Sequence, residues 1–332
     1  MLSRVADSLY WLTRNVERAE NVARFVDVNL HMTLDLPSDT EQQWEPLINT
    51  TGDREQFLEH FGPGFNRDNV IQFLTFDPDY SNSILSCVHS ARENARSIRE
   101  VISSEMWMQI NRFYLMVRGV AFSDDDLLTT SPHEFFTAVK TAGHTFEGIM
   151  DATMSHNEAW HFGQLGRLLE RADKTTRILD MKYFILLPDV TYVGSPFDNI
   201  QWAALLRSAS ALEMYRKKHG RIVPKSVVDF LLLDPEFPRS VKHCIRTAED
   251  SLRTIGDSPP GTYRNRAEQE LGRLRAKLDF TSTSEVMSTG LHEFLNDLQQ
   301  QLNDIGDAIH EAMFTLVPTP QDAGTQLQTQ TS

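Results

Sequence analysis

Residues 9–27 read Leu9-Tyr10-Trp11-Leu12-Thr13-Arg14-Asn15-Val16-Glu17-Arg18-Ala19-Glu20-Asn21-Val22-Ala23-Arg24-Phe25-Val26-Asp27. Leu9, Leu12, Val16, Ala19, Ala23 and Val26 alternate spacings of three and four, the mark of an amphipathic helix rather than a strand. Leu2 and Val5 extend the seam upstream and Leu30 extends it downstream, giving a helix of about eight turns. Pro37, Ser38 and Asp39 stop it.

The polar part of this stretch occurs twice. Glu17-Arg18-Ala19-Glu20 followed by Arg24 and Asp27 returns as Glu170-Arg171-Ala172-Asp173 followed by Arg177 and Asp180, at a constant offset of 153 residues. The match runs outward, Arg14 with Arg167, Leu12 with Leu165, Val16 with Leu169, and Val26 with Leu179. A weaker echo, Arg92-Glu93-Asn94-Ala95-Arg96, resembles residues 20–24.

Outward from the two motifs the chain reads as helix almost throughout. Residues 37–80, broken by Gly52, Gly62, Pro63, Gly64 and Pro78, are expected to hold loops with one or two short helices. Helical spacing covers 81–104 and 106–122, and Ser131-Pro132 opens a helix to about Met154. The second motif helix is expected from near Glu158 to Leu187, before Pro188. Further helices are expected up to His219-Gly220, from Pro224 to Leu233, from Pro238 to about Ile255, over 263–278, and from Ser284 to about Phe314. The polar segment 316–332, rich in Gln and Thr, is expected to be disordered. The fold class is therefore all-α, a multi-helix bundle with two related long motif helices and essentially no sheet. One domain over 1–315 is favoured, and the duplication allows pseudo-equivalent halves at 1–155 and 156–315.

Composition excludes several functions. With 32 Lys and Arg against 46 Asp and Glu, the net charge of −14 repels a phosphate backbone, so nucleic acid is not an expected partner. Cys87 and Cys244 are the only cysteines and have no Cys-x-x-Cys neighbour, which fits a reducing cytoplasm and argues against a disulfide framework or a thiolate zinc site. No run approaches a membrane span, and the N-terminus lacks a secretion pattern, so a cytoplasmic location is expected; a homo-oligomer stays open.

Two readings of the motif stand side by side. On a helical wheel Glu17, Glu20, Asn21, Arg24 and Asp27 lie opposite the apolar seam. Glu20 with Arg24 and Asp173 with Arg177 are favourable i,i+4 pairs, while Arg14 with Glu17 and Arg167 with Glu170 are i,i+3 neighbours, so the bland reading is a solvated stripe of helix salt bridges. Arg18 sits one heptad from both Trp11 and Phe25, and Arg171 one heptad before Ile178. Arginines in such apolar surroundings need a carboxylate of another helix, a backbone carbonyl or a bound anion. The substrate-binding candidates are accordingly Arg18, Arg171, Arg14, Arg167, Arg24, Arg177, Glu20 and Asp173, and the catalytic candidates are Glu17 and Glu170.

Leu9-Tyr10-Trp11 through Glu20, His156 through Trp160, Gly166 through Ala172, Gly194-Ser195-Pro196, Phe230 to Ser240 and Gly290 to Phe294 together resemble the bacterial alpha-E family, over residues 1 to about 315. Glu17-Arg18 and Glu170-Arg171 match its namesake motif. The resemblance implies partners rather than a mechanism: circularly permuted ATP-grasp proteins and transglutaminase-like proteins, encoded beside such chains or fused to them, and hence a part in ATP-dependent peptide or amide bond formation.

Other chemistry has thinner support. Glu158-x-x-His161 and Asp307-x-x-His310 have the carboxylate-x-x-His spacing of helical di-metal sites, which would also need lone carboxylates such as Glu17 and Glu93. No cofactor is implied: neither G-x-x-x-x-G-K-[ST] nor a strand-borne G-x-G-x-x-G occurs, and Ser195 is not in G-x-S-x-G. Three functions remain: an accessory or substrate-binding component of an ATP-grasp system, a carboxylate-based enzyme with or without a metal, and a structural scaffold.

Overall fold

The computed structural model describes residues 1–34, 44–123, 131–184 and 196–315. Among these residues there is no strand. The first long helix, α1, spans Ser3–Leu34. Three short helices follow, α2 (Glu45–Thr51), α3 (Arg54–Phe61) and α4 (Arg67–Phe76), where one or two were expected. Then come α5 (Ile84–Ser97), α6 (Ser104–Ala121), α7 (Pro132–Thr153) and the second motif helix α8 (Glu158–Phe184). The remainder comprises α9 (Pro196–Ser208), α10 (Leu212–His219), α11 (Pro224–Leu232), α12 (Val241–Gly256), α13 (Arg266–Phe280), α14 (Thr283–Thr289) and α15 (Leu291–Ile309), closed by a π turn at His310–Phe314.

Local sequence explains most boundaries. Ser83 and Ser240 cap α5 and α12, each hydroxyl accepting an amide three residues on at 3.1 Å. The helix expected from Pro238 therefore starts at Val241, with Pro238 in the preceding turn. The helix expected over 284–314 is divided at Gly290, whose φ of +99° no L side chain adopts readily. The segment ending at His219 is two helices, because Ser210 takes a left-handed φ of +49° between α9 and α10. The proposed end of α8 at Leu187 and the polar segment 316–332 lie outside the described residues.

Packing is organised in two rings. α1, α5, α6 and α7 close one four-helix ring; α8, α12, α13 and α15 close another; and α1 against α8, the most extensive helix contact, joins them. α1 also packs on α9. Surrounded in this way, α1 buries both its apolar seam and residues off the seam, including Val22 and Phe25. No described helix is long and apolar enough to cross a membrane.

Candidate functional site: a crossed ion-pair core

The α1–α8 contact is close because glycine occupies it. A Cβ at Gly166 would lie 2.3 Å from the Tyr10 carbonyl oxygen and 2.8 Å from Thr13 Oγ1. Beside it, the Thr13 hydroxyl donates to the Gly163 carbonyl at 2.7 Å. One turn further along, the two motifs meet.

They meet crosswise. Arg18 grips Glu170 with Nε at 2.6 Å from Oε1 and Nη2 at 2.9 Å from Oε2, and Arg171 grips Glu17 with Nε at 3.1 Å from Oε1 and Nη2 at 2.7 Å from Oε2. Each motif thus supplies the arginine for the other's glutamate, both in the two-pronged geometry that guanidinium and carboxylate favour. Further donors complete each carboxylate. Glu170 accepts from Arg14 Nε at 2.9 Å and lies 3.4 Å from Lys174 Nζ; Glu17 accepts from Arg239 Nη1 at 2.8 Å and Asn21 Nδ2 at 2.8 Å. Outer arms of the arginines find Asn82 Oδ1 at 2.6 Å from Arg18, and Glu147 Oε2 at 2.9 Å from Arg171.

Burial pushes the Glu17 carboxyl upward, but the Arg171 and Arg239 guanidiniums outweigh it and hold the group at about 2. Burial likewise opposes ionisation of Glu170, and Arg18, Lys174 and Arg14 bring it well below the ordinary carboxylate range. Both carboxylates are sealed from solvent, at 2% and 0% exposure.

The solvated-stripe expectation is corrected. Glu17, Glu20, Asn21, Arg24 and Asp27 are all buried, as are Glu170, Arg171, Asp173 and Asp180. A wheel distinguishes the apolar seam from the opposite face but does not show what covers that face, and here α7, α8 and α9 do. The i,i+4 pairs are made: Arg24 Nη2 to Glu20 Oε1 at 2.6 Å, and Arg177 Nε to Asp173 Oδ2 at 2.9 Å. Glu20 also receives Arg239 and, at 3.2 Å, His144. Burial pushes Glu20 and Asp173 upward, but Arg239 and Arg24 at the first, and Lys174 and Arg177 at the second, hold both below the ordinary range. Arg177 reaches the Thr50 and Thr51 carbonyls at 3.2 and 3.3 Å, at the end of α2. Arg167 turns to Glu147 and Gln164, and burial with the nearby Arg171 draws it down to about 10. The motifs end alike: Asp27 accepts from His133 at 2.7 Å and Lys140 at 2.6 Å, and Asp180 from His292 at 2.7 Å.

The metal candidates do not converge. Glu158 pairs with the Met1 ammonium at 3.0 Å, His161 packs edge-on against Trp160, and Asp307 and His310 are exposed. Glu93 serves Arg92 and Arg96 on the surface of α5. Among the described residues the one group of three metal-type ligands is Asp27, His31 and His133, which includes none of these. Lys140 on the same carboxylate makes it a poor cation site.

Several members of the network escaped the motif reading, above all Arg239, Glu147, His133, His292, Asn82 and Lys140. A signal for some of them exists. Asp77-Pro78 followed by Asn82-Ser83 matches Asp234-Pro235 followed by Arg239-Ser240 at an offset of 157. Asp77 Oδ1 accepts the amides of Asp79 and Tyr80 at 2.9 and 3.3 Å, and Asp234 Oδ1 those of Glu236 and Phe237 at 2.8 and 2.9 Å. Each turn thereby delivers its residue 82 or 239 to the ion-pair core.

Fold and site define a class: an all-helical protein whose two longest central helices are locked by crossed, buried Glu–Arg pairs drawn from one motif. The chain belongs to the Alpha-E family, described as a predicted alpha-helical domain with a conserved ER motif, which matches residues 1–314. Uncharacterized proteins of Mycobacterium bovis and Mycobacterium tuberculosis are similar, each 23% identical over 335 residues. The alignment covers 94% of this chain but 37% of those relatives, so the chain spans little over a third of their length. No solved structure matches.

Proposed function

We propose that the protein is an accessory, substrate-binding component of an ATP-grasp-dependent peptide- or amide-bond-forming system, in which the Glu–Arg pairs set the architecture and the rim of the first motif binds ligand. The contrast within the motif carries this reading. Glu17 and Glu170 are buried and fully engaged by arginines, whereas Arg24, on the same helix as Glu17, lines the larger and more open cavity. That arrangement suits binding rather than proton transfer. The partner half of the proposal rests on the family resemblance, and the greater length of the mycobacterial relatives is compatible with further modules beside this one. The tagged chain should co-precipitate a circularly permuted ATP-grasp protein or a transglutaminase-like protein from its own cells, and product formation by those proteins should fall when it is omitted. Failure of both would overturn the assignment.

The proposal includes a duplication, with 1–155 and 156–315 as related halves. It is supported by the motif offset, by the matching Asp-Pro turns and serine caps, by Cys87 against Cys244, and by Trp44-x-x-Leu47-Ile48 against Trp202-x-x-Leu205-Leu206. The two four-helix rings follow the same order along the chain.

A further inference from the structure

The two rings share a construction but differ in charge at one place. Between α1, α7 and the α9–α10 turn lies a cavity of about 270 Å3 bordered by three cations, Arg24, Lys140 and Arg207, and by His144. The hydroxyls of Thr137, Thr141 and Ser210 complete its polar lining, and among the described residues no carboxylate lines it. Two acids lie behind the wall, and each is shared: Glu20 among Arg24, Arg239 and His144, and Asp27 between Lys140 and His133, with His31 at 3.7 Å. Arg207 is exposed and has no ion-pair partner among the described residues. Arg24 is paired with Glu20 and Lys140 with Asp27, so Arg207 is the cation left over at this concavity, in a chain whose net charge is −14.

The related place in the other ring shows that the fold does not demand it. There Arg177 takes the position of Arg24 and spends its outer arm on the Thr50 and Thr51 carbonyls. At offsets of 158 and 159, Asn49 stands for Arg207, Gln299 for Lys140 and Asn303 for His144. Gln299 lies beside Asp180 as Lys140 lies beside Asp27. Gly52, with φ +82°, stands for Ser210. Where glycine would hold that turn without strain, this ring has a serine at φ +49° whose hydroxyl meets Arg24. The same frame carries one arginine among neutral residues in one ring, and three cations with a serine in a left-handed turn in the other.

We infer that this cavity binds a phosphate group, either free or as the monoester of a small organic molecule. Arg24 is largely engaged by Glu20, Ser210 and His144, and Lys140 gives one donor to Asp27. The Arg207 guanidinium, the remaining Lys140 N–H groups and the threonine hydroxyls still offer more donors than the roughly four lone-pair sites of one carboxylate can use, and they suit the three oxygens and near-double charge of a phosphate. The volume lies just below the range of about 300–1,000 Å3 usual for small-molecule sites, which leaves room for a small organic group and excludes a large one. This deepens the substrate-binding reading above by naming the ligand's chemistry, yet it can be measured on the chain alone.

Calorimetric titration of the full-length chain at low ionic strength with inorganic phosphate, glycerol phosphate and glutarate is the test. One phosphate or phosphomonoester per chain is expected, with glutarate at least tenfold weaker; a preference for glycerol phosphate identifies the esterified form, and parity identifies free phosphate. Arg207→Ala, at an exposed position, should weaken binding at least tenfold while helicity and Tm stay unchanged, and Asn49→Ala in the other ring should leave binding as it was. Absence of binding, glutarate binding as tightly as phosphate, or an unaffected Arg207→Ala protein would overturn the inference. Thr141→Val, which removes a lining hydroxyl without touching an ion pair, should weaken phosphate binding in the same direction. None of these outcomes bears on partner capture, so the two proposals fail separately.

Discussion

Glu170 has no exposure to solvent and three cationic neighbours, so its replacement is a test of what the crossed core contributes. Glu170→Gln leaves Arg14 and Arg18 facing one another without their shared counter-charge, while Lys174 keeps Asp173 at 3.0 Å, and an uncompensated buried charge costs about 3–5 kcal/mol. Arg18→Ala is milder, since Arg14 and Lys174 still neutralise Glu170 and the loss is chiefly hydrogen bonds, of the order of 1–3 kcal/mol. Urea unfolding should rank the two in that order; the reverse would show that Glu170 is not the hub. Acid should reach the same groups. The folded-state values of Glu17, Glu20, Glu170 and Asp173 all lie below their unfolded ones, so their contribution is complete above the ordinary carboxylate range and disappears as pH falls. For Glu17 the window runs from 4.5 down to about 2, each pH unit of separation being worth about 1.4 kcal/mol. Stability measured between pH 7 and 2 should be flat at first and then drop steeply below about pH 4.5. A steady loss beginning near pH 6 would point to histidines instead.

At the level of helices, sequence periodicity predicts existence better than environment. The seam from Leu9 to Val26 is enough to place α1, and Ser131-Pro132 is enough to start α7. What it could not convey is that the opposite face of α1 is also covered, because an i,i+4 Glu–Arg pair is spelled the same way on a wet face and under another helix. Val22 and Phe25, apolar but off the seam and buried, were the visible hint. The pairing of Arg18 with Glu170 was legible only as a need for some anion; its partner, 152 residues away, is fixed by topology. Glycines carry the missing information about closeness, and they make a prediction of opposite signs. Gly166→Ala places a methyl 2.3 Å from the Tyr10 carbonyl, so α1 and α8 must separate, at a cost of about 1–3 kcal/mol. Gly148→Ala, on the exposed face of α7 with nothing within 4 Å, should instead stabilise by about 0.5–1 kcal/mol through helix propensity. Thermal melts of the two variants should move in opposite directions; a fall in both would mean that the α1–α8 approach is not what Gly166 protects.

For the molecule as a whole, the crossed pairs make the two rings interdependent. Each ring has its own closed set of four helices, which by packing alone could suggest two independent folding units. The ion pairs argue otherwise. Cutting the chain near residue 155 would leave Glu17 and Arg18 in one piece and Glu170 and Arg171 in the other, each buried charge stripped of its partner and the largest helix contact exposed as apolar surface. Fragments 1–155 and 156–315 made separately should therefore show reduced helicity by circular dichroism, no cooperative melt, and self-association. Mixing them should restore a cooperative transition, because the motif helices can re-form their reciprocal grip in trans. The one escape open to a fragment is to pair with its own copy, since each carries a complete Glu–Arg motif and the cross is nearly self-complementary; that would appear as a folded homodimer in sedimentation, with Arg18 of one copy meeting Glu17 of the other. A folded, monomeric 1–155 or 156–315 would show that the crossed core joins two pre-formed units rather than completing one.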